Sequence, residues 1–186
     1  DDARYLDATA LALLDRLDDA LAIVEKALTT HPVPTANTAT LLSQKAFLLS
    51  RTGHLSSALE TLNQYKEHIT EAAMPDYHLH RGYIFLENNN EQDAREEFTI
   101  ALINSDNKED TLRKIALILF DWQYYDFAAQ IFLQLIQNGN AGQPENCLPY
   151  LAYCYYGMGK LDDYHHVLPE AIRRNRSLTA TLFAQV

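Results

Sequence analysis

The chain has 186 residues, 47% of them hydrophobic and 22% charged, with only six glycines and six prolines. That composition excludes a disordered chain and argues against an all-β fold, which needs more turn residues. A net charge of −10 repels phosphate backbones, so nucleic acid is not an expected partner. No apolar run approaches the roughly 18 residues of a membrane span.

The predicted elements follow one another in a fixed phase. Ala8, Leu11, Ala20, Val24 and Ala27 set the pattern of the first unit. It recurs as Ala46, Leu49, Ala58, Leu62 and Tyr65, then as Gly82, Phe85, Ala94, Phe98 and Ala101. The fourth unit repeats it with Ala116, Leu119, Ala128, Phe132 and Leu135. A looser fifth has Ala152, Tyr155, Tyr164, Leu168 and Ala171. Self-similarity at about 34 residues predicts a solenoid of helix pairs. The units span 1–35, 39–73, 75–107, 109–142 and 145–176, with a final helix over 177–186.

Each unit breaks once in its middle. The breaks are Arg16-Leu17-Asp18, Thr52-Gly53-His54-Leu55, Asn88-Asn89-Asn90, Trp122-Gln123-Tyr124 and Gly157-Met158-Gly159-Lys160. Glycine, asparagine and aspartate stop one helix and start the next. Between units the joints are His31-Pro32-Val33-Pro34, Met74-Pro75-Asp76, Ser105-Asp106-Asn107 and the segment 138–144. Ala20, Ala58, Ala94 and Ala128 are small because two helix backbones approach closely there. Tyr164 takes the alanine position of the fifth unit, which predicts a wider or rotated pair. Pro169 is expected to kink the last long helix.

This phase resembles that of the tetratricopeptide repeat family across essentially the whole chain. The third unit, with Gly82, Tyr83, Phe85, Ala94, Phe98 and Ala101, matches best. The resemblance implies an all-α, right-handed solenoid of about five antiparallel helix pairs. The final helix would be a cap or the start of a sixth unit. The expectation is a single repeat domain within a longer protein, since neither an initiator methionine nor a signal-peptide pattern opens it.

The resemblance also implies a function, since the first helix of each pair lines a concave groove in this family. Carried over, the inward residues are Tyr5, Thr9, Ala12 and Leu13 from the first unit and Thr40, Ser43, Phe47, Ser50 and Arg51 from the second. The third gives Asp76, Leu79, Tyr83, Leu86 and Glu87. The fourth gives Asp110, Arg113, Leu117, Phe120 and Asp121, and the fifth Asn146, Pro149, Tyr153, Tyr156 and Gly157. One aromatic per unit recurs there: Tyr5, Phe47, Tyr83, Phe120 and Tyr153, with Tyr156 beside the last. Aromatics supply contact area at low entropy cost. The expected site is therefore Tyr5, Phe47, Arg51, Tyr83, Glu87, Arg113, Phe120, Tyr153 and Tyr156. The alternative is that the solenoid or a neighbouring domain covers this row. The family's basic clamp for a terminal carboxylate is absent, since Tyr5, Thr9, Gln44, Asp76 and His80 hold its places.

Nothing in the chain supports an enzyme, a metal or a cofactor. His78 and His80 diverge by about 200° around a helix, and no HExxH motif or close Cys/His cluster exists. The acid pairs Asp18-Asp19, Glu96-Glu97 and Asp162-Asp163 read as helix-start or surface charges. Arg173, Arg174 and Arg176 read as a basic helix C-terminus. Cys147 and Cys154 lie about 10 Å apart along one predicted helix, too far to bridge. A reducing compartment such as the cytoplasm is thus permitted. Three readings follow: a scaffold for a peptide or protein segment, a structural array packing on other domains or forming a homodimer, and a chaperone for a secreted bacterial protein.

Overall fold

The computed structural model describes residues 16–30, 38–138 and 144–184. Tyr5, Thr9, Ala12 and Leu13, the His31–Pro34 joint and most of the joint before Pro144 lie outside them. The described residues form ten α-helices and no strand. These are α1 (Leu17–Thr30), α2 (Thr38–Arg51), α3 (Leu55–Lys66), α4 (Met74–Glu87) and α5 (Glu91–Asn104). They continue as α6 (Lys108–Asp121), α7 (Tyr125–Gln137), α8 (Pro144–Gly157), α9 (Leu161–Arg174) and α10 (Arg176–Phe183).

The turns inside the pairs fall where the breakers predict. Gly53 and Gly159 have φ of 81° and 70°, and Asn89 and Gln123 reach 58° and 61°. Such a residue reverses the chain between two helices. Asparagines then start three helices by side-chain capping. Asn90 Oδ1 accepts from the Asp93 N–H, Asn107 Oδ1 from Asp110 and Asn175 Oδ1 from Leu178. The last cap starts α10 at Arg176 rather than Ser177. Helix α9 is continuous across Pro169, and α8 likewise contains Pro149.

The chain forms two compact units, Asp1–Ser105 and Asp106–Val186. In the first, α1 packs on α2, α2 on α3, α3 on α4 and α4 on α5, and the first helices α2 and α4 also touch. In the second, α6 packs on α7, α7 on α8, and α8 and α9 on each other and on α10. The phase-setting alanines close these contacts. Ala20, Ala46, Ala58, Ala94, Ala116, Ala128, Ala152 and Ala171 are all fully buried. Only a methyl group fits between backbones this close. At Gly82 even a methyl does not fit, because the Phe98 ring occupies its place.

Candidate functional site

In the first unit, α2 and α4 bring four of the expected residues together. Phe47 and Tyr83 are half-buried, with ring centroids 5.4 Å apart and planes tilted by 37°. Both also pack on the cores beneath them, so the row belongs partly to the fold. One turn on, Arg51 Nε lies 3.5 Å from Glu87 Oε1, and the Arg51 guanidinium stands 5.9 Å over the Phe47 ring. Ser50 bonds the Glu87 carboxyl. Burial pushes that carboxyl up from the ordinary range, more strongly than Ser50 and Arg51 draw it down. Glu87 Oε2 is buried and has no hydrogen-bond partner among the described residues.

The second unit is richer in rings. Phe120 of α6 is surrounded by Tyr150 at 5.0 Å, Tyr153 at 5.2 Å and Tyr125 at 5.7 Å, all near edge-to-face. Tyr150 stacks at 5.4 Å on Phe132. Tyr153 and Tyr156 continue toward α10, where Phe183 lies 5.3 Å and 5.9 Å from them. Tyr164, in its alanine slot, packs 5.5 Å from Tyr156 and 5.7 Å from Phe183. Tyr156 is the most open of the expected aromatics in this unit, at 38% exposure. Burial raises the Asp121 carboxyl and, with Asp121 nearby, the Tyr150 phenol.

Beside these rings a cleft of about 500 Å³ opens between α6, α8 and α10, the first helices of successive pairs. Its walls are Arg113 and Leu117 of α6, Asn146, Cys147 and Tyr150 of α8, and Ser177, Leu178 and Thr181 of α10. Phe132 and Asn175 complete it. The Asn175 amide donates to Asn146 Oδ1 at 2.8 Å and fixes the start of α10 against α8. Arg113 is held only loosely, 3.4 Å from Asp110. Arg113, Leu117 and Asn146 are among the expected inward residues. Leu178 and Thr181 are not, although the repeat phase marks them. Thr179 is buried in α10 as Thr111 and Cys147 are in α6 and α8, which puts Leu178 at the position of Asn146.

A second polar feature escaped the sequence reading. Glu97, read there as a surface acid, is 9% exposed and joins α5 to α4. Its oxygens meet His78 Nδ1 and Arg81 Nε, each at 2.7 Å. Arg81 reaches the Tyr77 hydroxyl at 3.4 Å, and that hydroxyl donates to Asn63 at 3.2 Å. Arg173 and Arg174 close the last turn of α9 and both bind Glu170, holding its carboxyl down at about 2. Cys147 and Cys154 are buried and not disulfide-bonded, and burial pushes the Cys154 thiol up to about 12. Among the described residues no group of three His, Cys, Asp or Glu could hold a metal ion. None of their helices is long and apolar enough to cross a membrane.

No protein-family model matches the chain, and no curated protein matches it. Solved structures do. One is a protein of Podosopora anserina described as a kinesin light chain with nearly identical TPR-like repeats. It aligns at 11% identity and TM-score 0.63, covering 97% of this chain and 94% of its own. A tetratricopeptide repeat protein of Parabacteroides merdae aligns at 16% and 0.54, over 98% of this chain and 72% of its own. YrrB, described as a TPR protein with an unusual peptide-binding site, aligns at 16% and 0.50, over 97% and 90%. The similarity establishes the tetratricopeptide-repeat fold.

Proposed function

We infer that this chain, tetratricopeptide in fold, is a non-catalytic scaffold that receives a peptide or protein segment along its first-helix faces. The observation that supports this is the cleft between α6, α8 and α10. Its volume suits a bulky side chain, and it combines apolar walls with amides and a guanidinium. Leu117, Phe132 and Leu178 would bury the side chain. Asn146 and Asn175 would meet the peptide backbone that carries it. Tyr156, beyond the cleft, would extend the contact along the segment. YrrB, a protein of this fold with a peptide-binding site, supports the reading by analogy.

A displayed library of random peptides tests this. Enriched peptides should bind the wild-type chain and lose at least about tenfold in affinity with Leu117→Trp, which fills the cleft. The melting temperature should stay within a few degrees. No enrichment, or full binding by the variant, would remove the cleft from the site.

A structural array is the second reading, favoured by one observation. Ile103, Leu161 and Ile172 are large apolar side chains at 68%, 52% and 43% exposure, and none of them lines the cleft. Sedimentation showing a stable dimer broken by Ile103→Asp or Ile172→Asp would support it.

A further inference from the structure

The two units differ in charge. Residues 1–105 contain 16 acids and eight bases, a net −8, whereas residues 106–186 contain nine acids and seven bases, a net −2. The first unit therefore supplies most of the field that steers a charged partner. Its first-helix face adds local chemistry of the same sign. Glu87 stands at the inner end of α4 beside the Phe47–Tyr83 ring pair. Its Oε1 faces Arg51 at 3.5 Å, well outside the 2.7–2.9 Å of a strong charge-assisted bond. Its Oε2 has no donor among the described residues, although a buried carboxylate oxygen ordinarily has one.

Arg51 shows what a cation does at this place. Its guanidinium lies over the face of Phe47 and next to the Glu87 carboxylate, while its side chain stays 38% exposed. An arginine or lysine from outside can make the same two contacts, to Glu87 Oε1 and the Phe47 face, displacing the Arg51 head toward solvent. Aromatic faces favour such cations, more so as water is excluded.

We propose that the first-helix face of the first unit takes a lysine- or arginine-bearing segment, with Glu87 as its anion and Phe47 and Tyr83 as its aromatic bed. This rests on the scaffold reading and names the chemistry of the occupant.

Three fluorescein-labelled peptides of one length test it, alternating leucine with arginine, glutamine or glutamate. The arginine peptide should bind the wild-type chain at least about tenfold more tightly than the glutamine peptide in low salt. The advantage should shrink severalfold as the Debye length falls. Glu87→Gln should abolish most of it and leave the glutamine peptide unaffected. Glu96→Gln removes the same charge from the exposed face of α5 and should change little. Equal affinity for the arginine and glutamine peptides would overturn the proposal, as would no binding of the arginine peptide. Equal losses in Glu87→Gln and Glu96→Gln would also overturn it, because a diffuse field would then suffice. The scaffold reading is judged separately, by the Leu117→Trp variant in the second unit.

Discussion

Gly82 of α4 sits under the ring of Phe98 of α5, so that a Cβ added there would lie 2.7 Å from Phe98 Cδ1. Phe98 is itself 6% exposed and cannot swing aside. Gly82→Ala should therefore destabilise the chain by about 1 to 3 kcal/mol, an overpacking cost. Phe98→Leu in the same chain should recover part of that loss. Urea denaturation of the two single variants and the double variant checks the coupling. Additive losses would show that the ring is not the obstacle.

Glu96 and Glu97 should separate sharply. Glu96→Ala changes an exposed side chain and should stay within about 0.5 kcal/mol. Glu97→Ala strips Arg81 and His78 of their shared partner and should cost about 3 kcal/mol, as removing one member of a buried pair does. Thermal midpoints of the two variants decide it. Equal midpoints would mean that Glu97 does not hold α4 to α5.

That contrast shows what the sequence could and could not reveal. The two glutamates are adjacent and look alike as letters, yet they lie about 100° apart on a helix. One faces water and the other slides under α4. The helix pairs, their turns and the alanine contacts were legible because they repeat in phase. The cleft was only partly legible, because its walls come from three separate helices, from Arg113 in the first to Thr181 in the last. Asn175 was missed as a cap because Ser177, a good cap by type, stands two residues later. The sequence places Phe120 and Tyr153 in an inward-facing row, open to a segment or covered by the solenoid itself, and much of their surface is spent on each other and on Tyr125 and Tyr150, which the row did not include.

Tyr156 and Phe120 should therefore behave differently. Phe120→Ala opens a hole among three tyrosines and should cost about 2 to 3 kcal/mol of stability. Tyr156→Ala removes a more exposed ring and should cost less than about 1 kcal/mol, while weakening peptides selected on the wild-type chain about tenfold or more. Melting and binding measured on the same two variants test this. A larger stability loss at Tyr156 would assign it to packing.

Glu87 predicts a pH dependence of stability. Burial is the largest influence on its carboxyl and raises it above 4.5. The folded chain then holds this proton more tightly than the unfolded chain. Its contribution to stability is therefore greatest below pH 4.5 and falls as pH rises through the raised folded value. Glu87→Gln removes the penalty, so the variant should melt above the wild-type chain at pH 7 and lose that advantage near pH 4. The half-exposed Arg51 loses only a long, solvent-screened contact with Glu87. An identical difference at both pH values would refute the assignment. A more stable variant that binds the arginine peptide less well would show a carboxylate retained for recognition at the expense of stability.

Asn175 closes α10 at one end and reaches across to Asn146 with the same amide group. The consequence is kinetic. Helix α10 has two turns and packs chiefly on α8 and α9, so it can detach with little disturbance to the rest of its unit. Amide hydrogens of residues 179–183 should exchange with solvent sooner than those of α8, by sub-global opening. One wall of the cleft belongs to that helix. Entry and escape of a seated segment would then be timed by the detachment of α10, and Asn175→Ala should shorten residence more than it slows arrival.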